Sequence, residues 1–174
     1  MRTYAALLRA VGPGTHAIMR PSALRDAAEA AGFHRPVNYL ATGNLILGTT
    51  GTAAALRRDL TALVEGLGLT SSDVFVVPRA LLRRLVAADP FPEAAAGRPQ
   101  RLGVCFFHKA LDWPDALRHP DGPERVAAIG PTLVIDYGPG EAASRLNVEK
   151  LAGASMTQRN WNTVRGLWQR IRDR

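Results

Sequence analysis

At 174 residues and 47% hydrophobic, the chain has enough apolar material for one compact domain or two small packed halves. Its single cysteine, Cys105, excludes an intrachain disulfide and a cysteine-rich metal site, and the formal net charge of +7 favours anionic over cationic partners. No run approaches the roughly 18 apolar residues of a membrane span, and the five apolar residues Tyr4–Leu8 before Arg9 are too few for a secretory signal, so cytoplasmic residence is the expectation.

The elements follow in order. Tyr4 to Arg9 is near-continuously apolar and reads as a central strand. A loop, Gly12-Pro13-Gly14-Thr15-His16, leads to a helix bracketed by Pro21 and Gly32, with Leu24, Ala27, Ala28 and Ala31 on its inner face. Val37–Leu40 and Leu45–Leu47 read as strands joined through Thr42-Gly43-Asn44, a turn suited to positive φ. A second helix spans about Thr52 to Gly66, with Leu56, Leu60, Leu63, Val64 and Leu67 on one stripe, and Val74–Val77 is a strand. A third helix carries Leu81, Leu82, Leu85 and Val86 and stops before Pro90.

Residues 89–100 lack periodicity and read as a seam between halves, 1–88 and 101–174, within one compact unit. Beyond it, Leu102–Phe107 is a strand, Asp115–Arg118 a short helical piece, and Val126–Ile129 and Leu133–Tyr137 are strands across Gly130-Pro131. Ser155 and Gln158 stand at the spacing of a capping box, with Thr157 as a competing N-cap, so a closing helix is expected to begin there. Trp161, Val164, Trp168 and Ile171, with Leu167 alongside, form its apolar stripe. The predicted fold class is α/β in the α+β sense: duplicated β-α-β-β-α halves with helices packed on mainly antiparallel sheets.

Charge is uneven. Residues 1–78 hold seven basic and five acidic groups, 79–143 eight of each, and 144–174 seven basic and two acidic. The excess thus gathers in the segment that holds Thr157-Gln158-Arg159-Asn160, at the expected helix start, where an arginine could pair bidentately with phosphate or carboxylate. The competing reading is compositional. Twenty of the 22 basic residues are arginine, as a GC-rich genome produces without selection for binding. A second alternative makes Asn160, Asn162 and Thr163 ties between the helix and a neighbouring loop.

Other chemistry is sparse. Gly12-Pro13-Gly14 between strand and helix invites a phosphate-loop reading, but matches neither phosphate-loop nor dinucleotide fingerprints, and Pro13 lacks a donor. Asn44 either presents its amide to a ligand or serves a tight turn. Cys105 reads as a buried, inert thiol. His16, His34, His108 and His119 show no ligand spacing, so no metal or cofactor is called for, and Asp136 in a strand is the carboxylate whose burial would matter. Aromatic content of 6%, without basic interleaving, gives little support for base stacking.

Three stretches carry a resemblance over essentially the whole length: Tyr4–Arg9 with Gly14 and Leu24-Arg25; Thr42-Gly43-Asn44 after a tyrosine-containing strand; and Thr157-Gln158-Arg159-Asn160-Trp161-Asn162-Thr163-Val164. In this order they are similar to the bacterial family called domain of unknown function 1697. The resemblance implies a duplicated α/β fold and no established activity. In the first loop the family's asparagine is replaced by Gly12, one glycine by Thr15, and its lysines by His16 and Ile18. Gln158 stands where the C-terminal motif has a second threonine.

The leading expectation is binding of an anionic ligand (nucleotide-like, phosphorylated or nucleic acid) near the C-terminal helix start. Arg159, Asn160, Asn44, Thr157 and Gly14 are its candidate contacts. The rivals are an enzyme without a familiar motif, using Asn44, Thr157 and Arg159, and a structural or interaction protein. No protein partner is readable.

Overall fold

The computed structural model describes residues 1–70, 72–138, 140 and 144–174. By internal contacts the chain divides into one unit of Met1–Ala80 with Gln169–Arg174 and a second of Leu81–Trp168. Among the described residues it has seven α-helices and two four-stranded antiparallel sheets.

The first unit runs β1 (Arg2–Leu8), α1 (Pro21–Ala30), β2 (His34–Asn38), β3 (Asn44–Thr49), α2 (Ala53–Gly66) and β4 (Val74–Pro78), with sheet order β2-β3-β1-β4. Pro21 starts α1 with its φ preset. Thr52 caps α2, its hydroxyl accepting from the Ala55 amide at 3.1 Å. Alternation along β1 sends Tyr4, Ala6 and Leu8 to one face. There they pack with Leu45, Leu47 and Val74 of the sheet, with Leu24 and Ala28 of α1, and with Leu56, Leu60 and Val64 of α2.

The β2–β3 turn shows why Thr42-Gly43-Asn44 is written as it is. Gly43 has φ 70°, and a Cβ there would lie 2.9 Å from Val11 Cβ. Asn44, 2% exposed, opens β3, and its amide donates to the Tyr39 carbonyl and the Thr42 hydroxyl, both at 3.0 Å.

A helix follows β4 without a loop: α3 (Arg79–Ala88). Residues 89–100, read above as aperiodic, hold α4 (Pro92–Gly97), whose Ala94 and Ala95 are buried, and a 3-10 turn at Pro99–Arg101. The small alanines that blur the periodicity are what allow close packing there.

The second unit repeats the topology with β5 (Leu102–Phe107), α5 (Asp115–Arg118), β6 (Arg125–Ile129), β7 (Thr132–Asp136), α6 (Val148–Ala152) and β8 (Met156–Asn160), in sheet order β6-β7-β5-β8. Strand positions one to four therefore lie in the same spatial order in both sheets. Cys105, Phe107, Leu133 and Ile135 pack with Trp113, Leu117 of α5 and Val148 of α6.

Here the structure corrects the expected helix start. Residues 156–160 are an edge strand paired with β5, and α7 spans Trp161–Ile171. The Ser155/Gln158 capping box does not form, because Gln158 is drawn into the sheet opposite Cys105. The cap is Asn160, whose Oδ1 accepts from the Thr163 amide at 3.0 Å and the Thr163 hydroxyl at 3.1 Å. The second half is thus β-α-β-β-α-β with a trailing helix, as the first is. On α7 the buried stripe is Trp161, Val164, Leu167 and Ile171, and Trp168 is only partly covered.

Candidate functional site

The period-2 geometry of β8 sorts its polar residues onto opposite faces. Thr157 and Arg159 pair with Phe106 and Val104, whereas Met156, Gln158 and Asn160 pair with Phe107, Cys105 and Gly103. Arg159 therefore does not sit at a helix N-terminus. Its Nη1 donates to the Thr157 hydroxyl at 2.9 Å and the Gln158 carbonyl at 2.8 Å. Burial pushes its guanidinium pKa down to about 10, which leaves it charged at neutral pH. Thr157 is buried, and Asn160 spends its side-chain oxygen on the α7 cap.

Asn44 and Gly14 belong to the first unit. Asn44 holds the β2–β3 turn, and Gly14 lies in a 3-10 turn, Pro13–Thr15. Beside Gly14, the Gly12 amide donates to the Thr15 hydroxyl at 3.1 Å, and that hydroxyl donates back to the Gly12 carbonyl at 2.9 Å. One of the loop's few amides is thereby consumed. Thr157 and Arg159 share one face of β8, and Asn160 lies on the other.

On the Gln158 face lies a pocket of about 360 Å³, lined by Tyr137, Ser144, Arg145, Leu146, Asn147, Val148, Glu149, Met156 and Gln158. A second of about 410 Å³, which includes Asp121, Gly122 and Glu124, shares Arg145 and Leu146 with it. Gln158 is held in place by two donors. The Tyr137 hydroxyl donates to Gln158 Oε1 at 2.7 Å, and the Cys105 thiol donates to the same oxygen at 3.2 Å. Those bonds fix the amide's orientation and turn Nε2 away from them. Gly103 makes room: a Cβ there would stand 2.8 Å from Tyr137 Cε2 and 2.9 Å from Gln158 Cδ. Cys105 is fully buried, as its strand position implies.

The rest of the pocket wall is also donor-rich. Asn147 spends its oxygen on the Lys150 amide as the cap of α6, which leaves its Nδ2 hydrogens. Arg145 is exposed on the rim. Acceptors are largely used: Glu149 takes the Met156 amide at 3.1 Å, and Ser144 donates to Glu124 and accepts the Leu146 amide. Sequence reasoning missed Tyr137 and Gly103, whose contacts with Gln158 cross the sheet, and Arg145 and Asn147, which only the fold brings to the same pocket.

Asp136, flagged by its strand position, is 2% exposed and accepts from Arg98 Nη2 and Arg125 Nη2, each at 2.6 Å, and from the Gly138 amide at 3.1 Å. Burial raises its pKa, but these hydrogen bonds outweigh it and hold the carboxyl at about 2. Arg125 also pairs with Glu93 and lies 4.7 Å from the Phe91 ring centroid. With its hydrogen bonds filled, this cluster ties β6 and the segment around α4 to β7, which is an architectural role.

Among the described residues, no group of three or more His, Cys, Asp or Glu could hold a metal ion, and no helix is long and apolar enough to cross a membrane. No curated protein matches the chain. Among solved structures it is similar to the conserved bacterial protein SP0830 from Streptococcus pneumoniae, at 16% identity, a TM-score of 0.69 and 99% coverage of each chain. At that identity the likeness is one of fold. The family model for proteins of unknown function named DUF1697 matches residues 1–133, from β1 into β7, and the chain belongs to that family.

Proposed function

We propose that the protein binds a small anionic, acceptor-rich ligand, such as a phosphorylated or nucleotide-like molecule, in the second-unit pocket beside β8. One observation carries the reading. Gln158 lines the pocket with its oxygen committed to Tyr137 and Cys105, so its two Nε2 hydrogens serve whatever enters. Asn147 adds donors and Arg145 a positive charge. A site that pins a donor in advance avoids ordering it on binding. At about 360 Å³ the pocket lies at the small end of ligand sites, suited to one compact ligand. In this reading Arg159 and Thr157, on the opposite face of β8, brace the strand, and Asn160 positions α7. Asn44 and Gly14 shape first-unit turns.

Gln158→Glu tests it. A carboxylate still accepts from Tyr137 and Cys105, so the fold is kept, but a negative oxygen replaces the Nε2 donor. Calorimetric titration with inorganic phosphate, a nucleoside monophosphate and the uncharged nucleoside should show binding of a charged probe. Gln158→Glu should abolish it, and Arg145→Gln should weaken it about tenfold, the scale of a hydrogen bond to a charged group. Undiminished binding in Gln158→Glu, or no binding of any charged probe by the native chain, refutes the assignment.

A further inference from the structure

Two carboxylates are buried in the second unit, and they are satisfied very differently. Asp136, 2% exposed, accepts from two arginines and from the Gly138 amide. Glu124, 7% exposed, precedes β6 and accepts from one neutral group, the Ser144 hydroxyl, on Oε1. Among the described residues its Oε2 accepts no hydrogen bond, and no ion pair includes it. A carboxylate withdrawn from water is costly unless a cation or several donors compensate it. One hydroxyl is a thin complement, and an unfilled acceptor of this kind calls for an explanation.

Glu124 lines the pocket of about 410 Å³. Gly122 lines it too, and Glu124 Oε2 lies so close to Gly122 that a Cβ there would collide with it. The unfilled oxygen therefore stands at the pocket wall. Pro120 and Pro123 fix φ on either side of Asp121 and Gly122, which stiffens the loop that presents it. Asp121 adds a second, exposed carboxylate, and Leu146 and Leu151 supply apolar surface. This pocket abuts the one beside Gln158, because Arg145 and Leu146 line both. Ser144, on the wall of the Gln158 pocket, is the residue that holds the Glu124 carboxylate. An acceptor-rich pocket and a donor-rich one are thus neighbours, one hydrogen bond and one leucine apart.

We propose that the two pockets hold the two ends of one ligand, a phosphorylated amine, with its phosphate beside Gln158, its ammonium beside Glu124 and a short apolar stem along Leu146. The inference rests on the reading of the Gln158 pocket as an anion site and names the class of molecule that site takes. An ammonium fits better than a metal ion. It supplies the donor and the charge that Glu124 lacks, whereas a hard cation takes six or more oxygen ligands, and among the described residues no group of three or more His, Cys, Asp or Glu gathers.

Calorimetry on the full chain tests it by comparing aminoethyl, aminopropyl and aminobutyl phosphate with the ethyl, propyl and butyl phosphates, which lack the amine. At least one amine should bind about tenfold more tightly than its alkyl counterpart, the scale of one charge-assisted hydrogen bond. Glu124→Gln keeps an acceptor for Ser144, so it should erase that advantage and leave the alkyl phosphate's affinity unchanged. Asp112→Asn makes the same charge change at an exposed position of the same unit, outside both pockets, and should preserve the advantage. The comparison on the native chain stands whether or not Glu124→Gln folds. The alkyl phosphates report on the anion site alone. If they bind and no amine binds more tightly, this proposal is overturned and the anion site stands; if no phosphate binds, both are overturned. An advantage that survives Glu124→Gln, or that is lost equally in Asp112→Asn, also overturns the proposal.

Discussion

Replacing Asp136 with Asn probes the ion-pair cluster that holds the second unit's sheet to its flank. The substitution keeps the side chain's size and one oxygen but removes the charge facing Arg98 and Arg125. In the folded protein the carboxyl titrates at about 2 against its ordinary 3.8. At ~1.4 kcal/mol per pKa unit, that difference contributes ~2 kcal/mol at neutral pH. Breaking a fully buried pair costs more, ~3–5 kcal/mol. Here the Arg98 and Arg125 side chains are 34% and 47% exposed and can turn toward water, so the smaller figure applies. The sign follows from the depressed pKa: the contribution is complete above pH 3.8 and disappears as pH falls through about 2. Urea unfolding at pH 7 should show Asp136→Asn less stable by ~2 kcal/mol, and the gap should close as both proteins are acidified toward pH 2. A gap under ~0.5 kcal/mol at pH 7, or one that stays constant with acid, would show that the cluster does not hold the sheet as described.

Three further substitutions test the local geometry by the same unfolding assay. Gly103→Ala forces a Cβ against Tyr137 and Gln158, and should cost ~1–3 kcal/mol as overpacking while weakening anion binding. Asn160→Ala removes the α7 cap and should cost ~1 kcal/mol, whereas Asn160→Asp should retain most of that stability. Asn44→Ala leaves the Tyr39 carbonyl and Thr42 hydroxyl without their amide donor and should destabilise by ~1–3 kcal/mol without altering binding in the second unit.

Periodicity placed most elements because most bury one face. The stripes of α1, α2 and α3 and the apolar runs of β1, β3, β5 and β7 each carry their own signal. The reading failed where that signal is absent. β8 is a polar edge strand, Met156-Thr157-Gln158-Arg159-Asn160, whose pairing with β5 decides its conformation, and a chance capping-box spacing outweighed it. α6 has five residues, too few for a helical period to show. The chain did hold a usable clue. In the first unit α3 starts at the residue after β4, and α7 stands in the same relation to β8. Taking the duplication literally would have placed a strand before Trp161.

The site was legible only as a polar segment. Gln158 is two positions from Asn160 and adjacent to Arg159, yet its surroundings are set by Cys105 and Tyr137, 53 and 21 residues away. Alternation on a strand then separated the residues that the linear sequence had grouped. Arg159, the richest donor in the motif, faces Thr157 and the main chain, while the neutral amide beside it faces a pocket.

We propose above that Gln158 offers its amide hydrogens to an anion. The most direct measurement follows the side-chain amide pair of Gln158 in ¹⁵N–¹H spectra, assigned by its loss in Gln158→Glu, during titration with inorganic phosphate and a nucleoside monophosphate. A saturable shift of that pair is expected with one of the probes, reduced in Arg145→Gln. A Gln158 resonance that stays fixed at saturating concentrations of both would contradict it.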